Sequence, residues 1–243
     1  MKDFYEQSYC VRVRDTDMFG LCRPSSVMNF LQESAAQHSV QLGIGRESLV
    51  KQSQATWMLV RLRYTLFRPL HGNETIQVKT WYRKPHGVFI QRDFELLCGD
   101  ERIGYALSTW VLADAESHAL LKAEDIISGN GASQEDLFTE KLGKIKMPKD
   151  LAEAAVRQLG YSETDVNGHI NNTRYADYAC DAIHFENFTG KYVKEFQITY
   201  SAECLAGQTL RMLCKDEKSI FYVRGVDKDE KSHFDIRMEL AEI

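Results

Sequence analysis

No stretch of this 243-residue chain is long and apolar enough to span a bilayer: the longest uncharged runs, Ser34 to Gly45 and Ile103 to Ala113, reach about a dozen residues where about 20 are needed. Membrane insertion is therefore not expected. The cysteines at 10, 22, 98, 180, 204 and 214 form no C-x-x-C pair, so they read as reduced, mostly buried thiols of a cytosolic protein. The seven histidines make no H-x-x-x-H or H-E-x-x-H group, and Gly43-Ile-Gly-Arg-Glu-Ser is a broken glycine pattern outside any βαβ context. No metal and no cofactor is expected. The N-terminus, Met-Lys-Asp-Phe-Tyr-Glu, lacks the basic head and apolar run of a secretory signal, which makes the expected location cytoplasmic. A net charge of −5 without a recognition motif removes nucleic acid from the expected partners.

What is present is an ordinary globular composition, 44% apolar and 27% charged, long enough for one large domain or two smaller ones. A weak internal repeat decides between these. Arg14-Asp-Thr-Asp-Met-Phe-Gly20 returns as Ser162-Glu-Thr-Asp-Val-Asn-Gly168. Each copy follows an alternating segment, in which Val11 and Val13 match Leu159 and Tyr161, and precedes a helix. The first helix carries Val27, Phe30, Leu31, Ala35 and His38 on one face, the second Tyr175, Tyr178, Ala179, Ala182 and Ile183.

Four strands follow each long helix, over about 57–67, 74–82, 87–97 and 103–113, then 193–202, 208–214, 219–227 and 232–240. Between the copies, Glu116 to about Glu153 reads as a linker with some helix, as at Leu151 to Leu159. The expected fold class is α+β: two units packed as an intramolecular pseudo-dimer, since side-by-side sheets remove an exposed edge. The boundaries are 1–118, a linker at 119–153, and 154–243.

The repeat also supplies an internal control, because residues needed for the fold should recur in both copies. Asp17 and Gly20 recur as Asp165 and Gly168. The second copy alone has Asn167, His169 and Asn171-Asn172, where the first has Phe19, Leu21, Arg23 and Pro24. Three polar groups at alternate positions before a helix suit attack on a carbonyl. A helix N-terminus can stabilise an oxyanion, His169 can move a proton near neutral pH, and Asp165 or Asn167 can orient it or a water.

These residues resemble the acyl-acyl-carrier-protein thioesterases, a family of tandem hotdog proteins. The resemblance runs through Asn29-Phe-Leu-Gln-Glu33, Ser108-Thr-Trp-Val-Leu112, Asp165-Val-Asn-Gly-His-Ile-Asn-Asn-Thr-Arg-Tyr175 and Tyr200-Ser-Ala-Glu-Cys204. It implies hydrolysis of fatty acyl thioesters, acyl carrier protein as partner, and an active site of Asp165, Asn167, His169, Glu203 and Cys204. Two mechanisms fit. Either Cys204 attacks with His169 and Asn167 behind it, or Glu203 or Asp165 acts as base on a water. The second is preferred because the first leaves two carboxylates without a role.

The Asp17 turn also resembles that of single-hotdog acyl-coenzyme A thioesterases, but it lacks the neighbouring His and Asn. The first copy is therefore expected to shape an acyl pocket, with Trp57 and Met58 as candidates. Residues 57 to 92 carry a net +6 inside an acidic protein, and Arg83 and Lys84 there are candidates for docking the acidic carrier. The rival readings are an acyl-coenzyme A thioesterase, a double-hotdog enoyl hydratase or dehydratase, and a non-catalytic carrier-binding module. The residues leave a homodimer open.

Overall fold

The computed structural model describes residues 4–127 and 142–243. Gly129-Asn130-Gly131 and Lys141, part of the expected linker, lie outside the described residues. The chain divides into two compact units. One contains the N-terminal strand, Asn29–Tyr64 and the described residues from Asn73 to Leu142; the other contains Arg12–Met28, Thr65–Gly72 and Gly143–Ile243.

In the first copy the order is β1 (Tyr5–Cys10), α1 (Pro24–Gln41), α2 (Arg46–Ser53), β2 (Ala55–Leu66), β3 (Thr75–Tyr82), β4 (Phe89–Cys98), β5 (Glu101–Asp114), β6 (Leu120–Leu121) and a single turn, α3 (Ala123–Ile126). The main strands run β1-β3-β4-β5-β2, with β6 pairing β5. The face of α1 expected to be apolar is buried at every position named, from Val27 to His38. Tyr9 of β1 stacks on Phe30 and hydrogen-bonds Ser34, 2.8 Å away, so strand and helix share one interior. Burial of each such side chain contributes about 1.5–3 kcal/mol. The helix α2 was not expected: its first turn opens at Gly45, inside the segment that had read as a broken glycine motif.

The second copy holds β7 (Ala152–Gln158), α4 (Arg174–Asp181), β8 (Lys191–Tyr200), β9 (Thr209–Glu217), β10 (Ile220–Val226) and β11 (Ser232–Glu242). Its sheet runs β8-β11-β10-β9-β7. The expected helix at Leu151 to Leu159 is wrong. Ala152-Glu-Ala-Ala favours helix, but the segment takes the place that β1 holds in the first copy and pairs antiparallel with β9, so the sheet overrides local propensity.

The second helix is also shorter than expected. It ends at Asp181, and a 3-10 turn at Phe185–Phe188 and Gly190, with φ of 69°, carry the chain into β8. Its expected apolar face, Tyr175 to Ile183, is nonetheless buried. The alternating segments stop early too: Val13 and Tyr161 sit in 3-10 turns and are exposed.

Candidate functional site

The two repeated turns have nearly the same backbone. Asp17 N–H donates to Leu21 O and Asp165 N–H to His169 O, both at 2.8 Å. Gly20 and Gly168 both have φ of 78°, a left-handed conformation that glycine adopts without strain. Cys22 N–H donates to Leu70 O as Ile170 N–H donates to Cys204 O. The bridge Leu21 to His71 matches the bridge His169 to Leu205. These pairings set the register of the repeat: His169 corresponds to Leu21, Glu203 to Pro69 and Cys204 to Leu70.

In the second copy the register brings chemistry together. His169 Nε2 lies 3.3 Å from Glu203 Oε2, both side chains partly open to solvent. Asp165 Oδ1 accepts Asn167 N–H at 2.8 Å, and its Oδ2 lies 3.5 Å from Asn167 Nδ2, so this carboxylate holds the turn and the Asn side chain. The turn is anchored from below by Glu163, which accepts from Gly160 N–H and from Arg157, both at 2.6 Å. Four of the five expected residues thus share one partly exposed corner, formed by the turn before α4 and the segment after β8.

The fifth, Cys204, points elsewhere. Its side chain is fully buried, and its Sγ lies 3.1 Å from Nδ1 of His233 and within hydrogen-bonding reach of Tyr175. Burial pushes the thiol up to about 11, which leaves it protonated and weakly nucleophilic at neutral pH. The alternative in which His169 activates Cys204 for attack is therefore not supported by the geometry.

The residues missed in the sequence are His233 and Asp227. The His233 ring is buried; its Nδ1 is 3.0 Å from the Glu203 carbonyl oxygen and its Nε2 is 3.1 Å from Asp227 Oδ2. The hydrogen bond from His233 holds Asp227 below the usual carboxylate range. With a proton on Nδ1 the ring donates to the Glu203 carbonyl; without one it accepts from the Cys204 thiol. In either state it ties β11 to the Glu203-Cys204 segment. The only sequence signal was a His six residues after an Asp across a hairpin.

Other expectations change as well. The oxyanion role assigned to a helix N-terminus is weakened, since α4 begins at Arg174 and Asn171 Oδ1 already accepts from Thr173 N–H at 3.0 Å and from the Thr173 hydroxyl at 2.9 Å. Trp57 is part of an apolar cluster: its Nε1 donates to Ile44 O at 2.9 Å and its ring meets Trp110 edge-on. Met58 is half-buried and Lys84 is exposed. Arg83 is not a free docking charge, because it grips buried Asp93 through two hydrogen bonds of 2.7 and 2.8 Å. Arg92 is buried as well, with His38 Nδ1 at 3.0 Å, so the +6 segment is not a continuous basic surface. Among the described residues no His, Cys, Asp and Glu group could hold a metal ion, and no helix is long and apolar enough to cross a membrane.

Comparison with known proteins gives this corner a family. A family profile described as acyl-ACP thioesterase N-terminal domain matches residues 2–129, and one described as acyl-ACP thioesterase C-terminal domain matches residues 149–241. The chain belongs to the acyl-ACP thioesterase family. A relative from Coriandrum sativum, an oleoyl-acyl carrier protein thioesterase, is 21% identical over 220 residues, 82% of this chain and 59% of that protein. A dodecanoyl-[acyl-carrier-protein] hydrolase from Cinnamomum camphora is 24% identical over 204 residues, 77% and 53% of the two. The chain thus spans between half and three-fifths of the length of these chloroplastic relatives. An acyl-ACP thioesterase structure from Bacteroides thetaiotaomicron superposes with a TM-score of 0.89 at 23% identity, covering 98% of both chains. The 12:0-ACP thioesterase of Umbellularia californica gives 0.88 at 18% identity, covering 100% of this chain and 99% of that one. The α+β fold of two tandem hotdog units is therefore that of the acyl-ACP thioesterase family.

Proposed function

We propose that this chain hydrolyses the thioester of fatty acyl-acyl-carrier-protein in the cytoplasm, releasing a free fatty acid and the carrier thiol. The observation that carries the reading is the Glu203 and His169 pair at 3.3 Å beside the Asp165-held Asn167, in a chain of this family. Glu203 takes a proton from a water whose oxygen adds to the thioester carbonyl carbon. Asn167 and His169 face the carbonyl, and the tetrahedral intermediate collapses with cleavage of the carbon–sulfur bond. The departing thiolate receives a proton from His169, which recovers one from the protonated Glu203 beside it, and no cofactor is required.

Asp165 and His233 are positioning residues, the first for Asn167 and the second for Glu203. The working division keeps the reaction in 154–243 and the acyl pocket in 1–118, with Trp57 and Met58 as its candidate lining. The carrier, an acidic partner, meets Lys84 rather than Arg83, whose charge is spent on Asp93.

Substitution separates water attack from a covalent route. Cys204→Ala should keep activity within about threefold, while Glu203→Ala should lower kcat by about 10²–10⁴ through loss of the base. A Cys204→Ala protein of normal melting temperature but without hydrolysis would overturn the water route. Release of thiol from acyl-carrier and acyl-coenzyme A substrates, assayed beside enoyl hydration, tests the reaction class itself.

A further inference from the structure

The first copy's turn does not face empty solvent. A cavity of about 400 Å³ opens on it, within the usual range for small-ligand sites. Its wall includes Asp17, Met18, Phe19, Leu21, Pro69 and Leu70. By the register established above, these are the counterparts of Asp165, Val166, Asn167, His169, Glu203 and Cys204. The cavity is therefore the twin of the candidate active site, with the base replaced by Pro69, the His by Leu21 and the Asn by Phe19. What remains is a pocket with apolar walls, closed on the other side by Cys180, Phe185 and Phe188.

One polar group in it is unspent. Arg23 takes the place of Asn171, and its Nη2 donates to the Arg14 carbonyl oxygen. Its Nε is buried and has no hydrogen-bond partner, and among the described residues no carboxylate pairs with it. The Nε is enclosed by protein atoms, so it is the guanidinium charge, unanswered by any described carboxylate, that an anion entering the cavity can meet. The other charges of the rim are engaged. Asp17 Oδ1 accepts from Phe19 and Leu21 N–H, Asp177 meets Arg174, Asp181 meets Arg157 and Lys191 meets Glu242.

We propose that this cavity is a second, non-hydrolytic site for a long-chain carboxylate, the alkyl chain lying against the Leu21, Leu70 and Phe188 walls and the carboxylate on Arg23. The choice of a fatty acid rests on the hydrolase reading; the cavity and its unspent donor do not. The site lacks the groups for turnover and is a holding site for a molecule of the product's class.

Cys22 also lines the cavity and is half-buried, so it reports occupancy without any substitution. Dodecanoate should slow maleimide alkylation of Cys22 by about fivefold or more, read by mass spectrometry, and leave Cys98 unchanged. Dodecanol, the same chain without the charge, should protect about tenfold more weakly, as expected for losing a charge-assisted hydrogen bond. Arg23→Gln should weaken protection by a similar factor while kcat/KM for acyl-carrier hydrolysis stays within twofold. Unprotected Cys22 at saturating dodecanoate, or protection indifferent to both Arg23→Gln and the carboxylate, overturns the proposal. Protection in a protein that hydrolyses no thioester would sink the hydrolase reading and leave the site standing.

Discussion

Set side by side, the turns at residues 15–23 and 163–171 share their hydrogen bonds, their positive-φ glycine and their threonine hydroxyl contact, Thr16 to Val13 O at 2.9 Å and Thr164 to Tyr161 O at 2.8 Å. They differ in the side chains the backbone presents. The aspartate recurs because the turn needs it: in each copy its Oδ1 takes the N–H two residues ahead, at 2.9 Å for Asp17 and 2.8 Å for Asp165. Its presence alone is thus evidence of a turn, not of catalysis. Chemistry belongs to what changes on an unchanged frame: Asn167, His169 and Glu203 against Phe19, Leu21 and Pro69.

The strongest way to break that comparison is to remove the differing groups in each copy. His169→Ala should cost about 10²–10⁴ in kcat, the range for losing an acid–base group, whereas Leu21→Ala should change it less than threefold. Equal losses in steady-state assays would mean that both turns serve the reaction.

His233 sharpens the point, since its buried ring links β11 to the Glu203 backbone. His233→Ala should lower kcat about tenfold with little change in KM, because a displaced catalytic group loses alignment rather than substrate affinity. His233→Asn, which can still donate to the Glu203 carbonyl, should recover part of the loss. A fall in melting temperature with kcat intact would reduce His233 to a packing residue.

The two copies should also respond differently to acid. Burial, and then the Arg92 guanidinium, lower His38 from 6.5 to about 3, so the folded first copy keeps this ring neutral. The unfolded chain takes up that proton near pH 6.5. The stability contributed is therefore complete above pH 6.5 and declines as pH falls toward 3. Denaturant titrations from pH 7 to 4 should show a slope that His38→Gln flattens.

The smallest effect tests the shared frame. Gly20→Ala and Gly168→Ala each force a side chain into the left-handed region, at a cost of about 1–2 kcal/mol. Nothing lies within 4 Å of either would-be Cβ, so the cost is backbone strain alone and should be alike in both copies, lowering each melting temperature by a few degrees.

Much of this was readable from residue order alone. The repeat, the eight long strands and the buried faces of both helices rest on periodicity, which burial imposes directly. The Asp165 to His169 cluster emerged because duplication supplied its own reference. Other features depend on contacts that no local pattern records. Ala152-Glu-Ala-Ala became a strand because β9 offered an unpaired edge, and Arg83 lost its apparent availability to Asp93, ten residues along the chain and across the sheet. His233 and Asp227 reach Glu203 only after β8 and β11 pair, about 30 residues apart in sequence.

The burial of Cys204 changes how reagents will read this protein. A thiol with no exposed surface, raised to about 11, reacts only when the surrounding Tyr175 and His233 packing opens. Inactivation by an alkylating agent would then follow the opening rate of β8, β11 and α4, and lost activity would report a breached fold rather than a captured nucleophile. Exposed Cys10, by contrast, should be modified at once and silently.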